Sequence, residues 1–286
     1  MYPASCDYYR AASLAEAVEL LGEHPEARLL AGGHSLIPLM KLRLAQPAAL
    51  IDIGRVAELG GIQATDGGVR VGALATHAEV AESAALQGAC PLLAEAAAKI
   101  ADPQVRNKGT LGGNIAHADP GSDLPAVLVA LDATVHLHGP GGARSVAARE
   151  FFTALLTTAM VAGEVLVHVE AAVLGAGTGS AYLKVEHPAS GYAVCGAAAV
   201  VRLKGGAVAA ASLAFNGVTT TPHLATAVTG ALTGGNGSDT AIDQAVDTHL
   251  AIAEPMGDLY ASGEYRGHLA AAYGKRALKL ARDRAG

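Results

Sequence analysis

Residues 100–131 read IADPQVRNKGTLGGNIAHADPGSDLPAVLVAL. The stretch from Asp102 to Asp123 is dense in Gly, Asn, Asp and Pro, and it predicts a long irregular loop. Loops longer than about 15 residues are usually functional or disordered. This one lies between an Ala/Leu/Glu run over Pro91–Ile100 that predicts a helix and an apolar helix or turn over Ala126–Leu131, so function is the better reading. Inside it, Gly109-Thr110-Leu111-Gly112-Gly113-Asn114 brings together small residues and the donors Thr110 and Asn114. Asp123 can accept from ribose hydroxyls or a ring.

A second small-residue loop stands upstream, Ala31-Gly32-Gly33-His34-Ser35-Leu36. It follows a short apolar strand at Leu29–Leu30 and precedes a helical pattern over Leu36–Leu44. Glycine lets backbone approach a ligand and reach positive φ, and amides at a helix start suit phosphate. Either loop alone also reads as an ordinary turn. Two of them fit one extended ligand with a pyrophosphate, such as a dinucleotide. There is no GxxxxGK[ST] phosphate loop, and the acidic residue expected about 20 positions after a Rossmann glycine loop has no clear place. Gly175-Ala176-Gly177-Thr178-Gly179-Ser180 is not GxGxxG and reads as a hinge.

Around these loops the chain alternates helix and strand signals. Ser13 and Glu16 form a capping-box pattern ahead of a helix over Leu14–Leu21. Strands are expected at Leu50–Ile53, Gly68–Ala73, Thr134–His138 and Val165–Val173, and Thr76 can cap a helix over Ala78–Ser83. Beyond the hinge, Ser180–Val185, Ala193–Leu203 and Val208–Gly217 read as three strands, with Gly205-Gly206 as a hairpin turn. Leu224–Ala285 is mostly helical. The fold class is α+β, with a first part to about residue 175 and a sheet followed by helices after it.

The bulk properties narrow the function classes. The chain has 286 residues and a formal net charge of −6, which argues against a nucleic-acid footprint. Its basic stretch, Lys275–Arg284, reads as the solvated face of a helix. No apolar run is long enough to span a bilayer, and no secretory signal is visible. Cys6, Cys90 and Cys195 lie far apart. They point to a reducing, cytoplasmic compartment and are too few for an iron–sulfur cluster, which needs about four. Cys195 reads as core. His136 and His138 share one strand face and suggest a metal pair, but no third ligand stands nearby in sequence, so the metal expectation is none. No Ser/His/Asp or Cys/His set has supporting context.

AGGHSLIPLMKLRLAQP (31–47) and the 100–131 stretch resemble the FAD-carrying medium subunit of molybdenum hydroxylases. The likeness is to the group that includes the carbon monoxide dehydrogenase medium subunit and the FAD module of xanthine dehydrogenase. It extends over nearly the whole chain, including the DYYR start (7–10). It implies a two-part FAD-binding domain of the vanillyl-alcohol-oxidase/PCMH type over residues 1–175, split near 55. A C-terminal domain over 176–286 would follow, a three-stranded antiparallel sheet with a helical bundle. It implies non-covalent FAD held by Ala31, Gly32, Gly33, His34, Ser35, Thr110, Leu111, Gly112, Gly113 and Asn114. Ile100 and Asp123 match further cofactor positions, and Lys184 and Tyr192, in YLKVEHPASGYAV, match the segment closing over the isoalloxazine. No residue of the chain is then a catalytic acid or base. The molybdenum cofactor and [2Fe-2S] clusters would sit on a large and a small partner subunit, commonly in a dimer of heterotrimers. An external acceptor would take the electrons.

The sequence departs from the carbon monoxide dehydrogenases at Glu186–Gly191. That stretch is more basic in them, with an Asp where Gly191 stands here. CO, N-heterocycles, purine alkaloids and aldehydes are therefore all open as the substrate of the complex. Two other readings of the paired loops stay open: a stand-alone flavin oxidase with its own substrate pocket, which a covalent link at His34 would favour, and a non-catalytic module that binds a phosphorylated metabolite.

Overall fold

The computed structural model describes residues 1–286. The first layer is a three-stranded parallel sheet of β1 (Asp7–Arg10), β2 (Ala27–Leu30) and β3 (Ala49–Asp52), in the order β1-β3-β2. The helices α1 (Leu14–Glu23) and α2 (Leu36–Lys41) make the connections. The apolar run Leu50-Ile51-Asp52-Ile53 supplies the central strand, paired on both sides, which is why it reads as continuous rather than alternating. The Ser13 hydroxyl caps α1 by accepting from the Glu16 N–H at 3.2 Å. The helix expected to run to Leu44 ends at Lys41, because Arg43 enters the left-handed region at φ 59°.

The second layer is a five-stranded sheet, β4-β5-β10-β6-β7. Its strands are β4 (Ile62–Ala64), β5 (Gly68–Gly72), β6 (Thr134–Gly139), β7 (Gly142–Ala147) and the central β10 (Val165–Ala172). Helices α3 (His77–Glu82), α4 (Ala84–Ala89) and α5 (Pro91–Ala98) follow β5, and Thr76 begins α3 with a full capping box. The 102–123 segment is not one irregular loop. It holds a turn of helix, α6 (Pro103–Arg106), then α7 (Leu111–His117), and ends where α8 (Asp123–Ala130) starts. Its glycines hide the helix in the sequence, yet the Thr110 hydroxyl caps α7 by accepting from Gly113 N–H. Val69, Val71, Val135, Leu137, Val169 and Ala171 face these helices in one core. The intervening Arg70, His136, His168 and Glu170 are half-buried. A short α9 (Ala148–Phe151) and the hairpin β8 (Phe152–Ala154) and β9 (Thr157–Thr158) complete this layer.

The remaining chain forms an antiparallel sheet, β11 (Thr178–Glu186), β12 (Ala193–Lys204), β13 (Ala207–Asn216) and β14 (His223–Leu224). The three long strands match the expected three; β14 adds a two-residue edge. Lys204 pairs with Ala207 across Gly205-Gly206, both at positive φ, the geometry of a two-residue hairpin turn. Helices α10 (Thr226–Leu232), α11 (Asp239–His249) and α12 (Gly263–Ala285) cover one face. The other face rests on α8: Ala198, Ala214 and Tyr182 share a core with Leu124 and Leu128. The basic end of α12 faces solvent and is laced with surface ion pairs. Lys275 meets Asp247, Lys279 meets Asp243, and Arg284 reaches Glu95 on α5 at 2.8 Å. No helix is long and apolar enough to cross a membrane.

Candidate functional site

β2 ends in Ala31–Ser35, and this turn lies against the backbone that enters Thr110. A Cβ on Gly32 would overlap the Lys108 carbonyl, so the two small-residue loops touch only because residue 32 has no side chain. Gly33 sits at φ 70°, where L side chains are strained. The N–H groups of Gly32, Gly33, His34 and Ser35 donate to nothing within the chain. Unpaired backbone donors at a cleft are anion ligands in waiting. His34 Nδ1 lies 2.9 Å from the Gly32 carbonyl, which fixes its ring.

The second loop works differently. Its amides are already used: Leu111 N–H donates to Ala75, Gly112 to Ala73, and Asn114 to the Thr110 carbonyl. What remains free are side-chain donors. The Thr110 oxygen accepts from Gly113, leaving its O–H to donate. Asn114 Oδ1 accepts from Ser122 Oγ at 2.6 Å, leaving its amide N–H groups.

Both loops line one cavity of about 550 Å³. Of the residues singled out from sequence, Ala31–Ser35, Ile100, Thr110, Gly112, Gly113, Asn114, Asp123 and Tyr192 reach its wall. Leu111 and Lys184 do not. The Leu111 side chain is wholly buried in the core. The Lys184 ammonium stands behind the wall, donating to the Lys99 carbonyl at 2.6 Å and the Gly191 carbonyl at 2.7 Å. It also pairs with Asp123 at 3.1 Å.

Asp123 is turned the same way. Its Oδ1 accepts from the Tyr182 hydroxyl at 2.5 Å, so its carboxylate faces β11 rather than open space. Burial pushes its pKa up to about 6 against the opposing pull of Lys184 and Tyr182. Tyr182 is core, and Cys195 is core as expected.

Sequence reasoning missed His77. It is 3 % exposed, lines the cavity, and its Nδ1 has no partner. Burial lowers its pKa to about 4, helped by His34 and Arg106. Its only sequence signal is its place directly after the Thr76 cap. Leu74, Leu156 and Met160 add apolar wall from elements that carry no motif.

Tyr192, 44 % exposed, stands at one end of the cavity. It also lines a smaller neighbouring cavity of about 390 Å³ with His187, Tyr260 and Arg266. Leu156, Ser190 and Tyr192 line both spaces, so the two cavities adjoin at these residues.

Residues 4–171 match the family described as FAD binding domain in molybdopterin dehydrogenase, and residues 180–281 match the CO dehydrogenase flavoprotein C-terminal domain. The chain is 42 % identical to the carbon monoxide dehydrogenase medium chain of Hydrogenophaga pseudoflava over 98 % of each chain. It is 38 % identical to the glyceraldehyde dehydrogenase medium chain of Sulfolobus acidocaldarius over 93 % of this chain and 94 % of that one. A solved structure of the Hydrogenophaga pseudoflava carbon monoxide dehydrogenase superposes with a TM-score of 0.96 at 44 % identity, covering 99 % of each chain. With both domains matched and the likeness running along nearly the whole of each chain, the protein belongs to the FAD-binding flavoprotein family of the molybdopterin dehydrogenases.

Proposed function

We propose that this chain is the electron-transfer subunit of a molybdenum hydroxylase complex. A large partner subunit with the molybdenum cofactor oxidises the substrate, and a small partner carries [2Fe-2S] clusters. This chain binds FAD without a covalent link and exposes it to an external acceptor. The observation that carries the reading is the meeting of the two loops around four unpartnered amides, at Gly32–Ser35.

FAD fits the residues present. The free amides of Gly32–Ser35 suit a pyrophosphate, and Thr110 Oγ1 and Asn114 Nδ2 can donate to the same oxygens or a ribose. The apolar wall of Leu74, Leu156 and Met160 suits a flat ring system. Bound FAD supplies the ability to take up electrons singly or in pairs. The protein's part would be to hold it in the cavity and shield it from water, with Tyr192 among the residues of the wall.

In this reading the chain divides between residues 175 and 176, with the flavin held mainly by the first part. In this reading the substrate never touches the chain. Carbon monoxide and an aldehyde sugar name the relatives above, and N-heterocycles and purine alkaloids stand beside them.

The test is purification from the native host with whatever co-purifies, and a visible spectrum before and after acid precipitation. Flavin in the supernatant, with molybdenum on a larger chain and iron on a smaller one, supports the reading. Flavin in the pellet or turnover by the isolated chain would establish a self-contained oxidase instead.

A further inference from the structure

Outside the cavity, three ligating side chains converge on the five-stranded sheet. His136 on β6 is the direct register partner of His168 on β10, and Glu170 lies two residues further along β10, on the same face. One ligand atom from each of the three lies within 4.8 Å of the other two. Both imidazole Nε2 atoms stand 3.3 Å from the Glu170 carboxylate. That spacing is about the edge of a tetrahedron with ~2.0–2.1 Å metal–ligand bonds.

The juxtaposition depends on a defect in the strand. The register of β10 against β6 shifts between Leu166 and His168. Carried through unshifted from Leu166, the register would set Val167 opposite His136 and His168 opposite Val135. Bulges re-aim side chains in this way. The rings stack with centroids 4.1 Å apart and planes 12° from parallel.

We propose that His136, His168 and Glu170 form a binding site for a divalent transition-metal ion of the zinc class, with water completing the coordination. Two imidazoles and one carboxylate are the donor set such an ion takes. His136 Nε2 is shielded from solvent and makes no hydrogen bond within the chain, so its valence is left for a ligand. Ser145 Oγ lies 3.0 Å from His136 Nδ1 and sets the ring as an outer-shell partner does. Arg70 on β5, the register partner of Glu170, brings a positive charge to the cluster that opposes binding. A bound ion would fasten β10 to β6 at the bulge.

The test is zinc titration of the full-length, FAD-containing chain by calorimetry, with bound metal counted after dialysis. One zinc per chain at micromolar free zinc is expected. His168→Gln and Glu170→Gln should each weaken binding about tenfold or more. His138→Gln should leave it unchanged, since that side chain is not one of the three. Arg70→Gln should tighten it. Zinc should also raise the Tm of the wild-type chain and not that of His168→Gln. Flavin retention shows that each variant is folded. Absence of stoichiometric zinc in the wild type, or stoichiometric binding that survives His136→Gln/His168→Gln, would overturn the proposal. In the first case the three groups are a plain His–Glu pairing. In the second the ion sits elsewhere.

Discussion

The Lys184 ammonium and the Asp123 carboxylate lie 3.1 Å apart, each at most 5 % exposed, one on the first strand of the C-terminal sheet and the other at the start of α8 in the cavity wall. Breaking a buried pair by deleting one partner strands the other charge and costs about 3–5 kcal/mol. Lys184→Met is therefore expected to lower the urea midpoint and to loosen FAD. Lys184→Met combined with Asp123→Asn should recover much of the loss. A single variant as stable as wild type would show that the pair carries no such coupling.

Asp123 also sets a pH dependence. Its folded pKa of about 6 lies above the usual unfolded value of about 3.9. The folded state therefore binds the proton more tightly. The stability this contributes is complete below about pH 4 and is lost as pH rises through about 6. Urea unfolding of wild type and Asp123→Asn between those limits should show the variant lacking this falling component.

Two histidines, buried His77 and half-buried His168, act in the opposite direction. His77 and His168 have folded pKa values near 4, below the ordinary 6.5, so the folded state resists their protonation. Stability from them is present at neutral pH and drains away as pH falls from 6.5 towards 4. His77→Asn should flatten the acid side of the stability profile. Flavin retention measured across the same range will show whether the cavity opens with it.

At the loop contact, Gly32→Ala places a methyl group on the Lys108 carbonyl. The turn must shift, carrying its four amides with it. FAD content after gel filtration should fall, with affinity reduced about tenfold or more, the equivalent of about 1.4 kcal/mol. Gly33→Asp adds a carboxylate and a strained backbone and should abolish retention. Stoichiometric FAD in both variants would remove the first loop from the cofactor site.

Tyr192 is half-exposed where the two cavities adjoin, and its ring supplies most of the bulk it places there. Tyr192→Ala should raise quenching of flavin fluorescence by a small soluble quencher while FAD stays bound. Tyr192→Phe should behave as wild type. Equal quenching in all three would place the exposed flavin edge elsewhere.

The two loops and the hairpin at Gly205-Gly206 were legible because glycine at a positive φ or a close approach leaves a mark in one sequence. The α7 helix was not, because its Leu-Gly-Gly-Asn start reads as loop until Thr110 is seen capping it. Lys184 illustrates a different limit. Its position matches a cofactor segment, but which way an ammonium turns depends on carbonyls at Lys99 and Gly191 that only the fold brings near. The His136 cluster is the same case. Its partners stand more than thirty residues away on a strand whose bulge has no sequence signature.

The salt bridge between Asp123 and Lys184 crosses the point where the two matched families meet. The halves of this flavoprotein are thus not interchangeable cassettes. A chimera that takes its first half from one relative and its second from another inherits a working seam only when both parents bring complementary charges to these two positions.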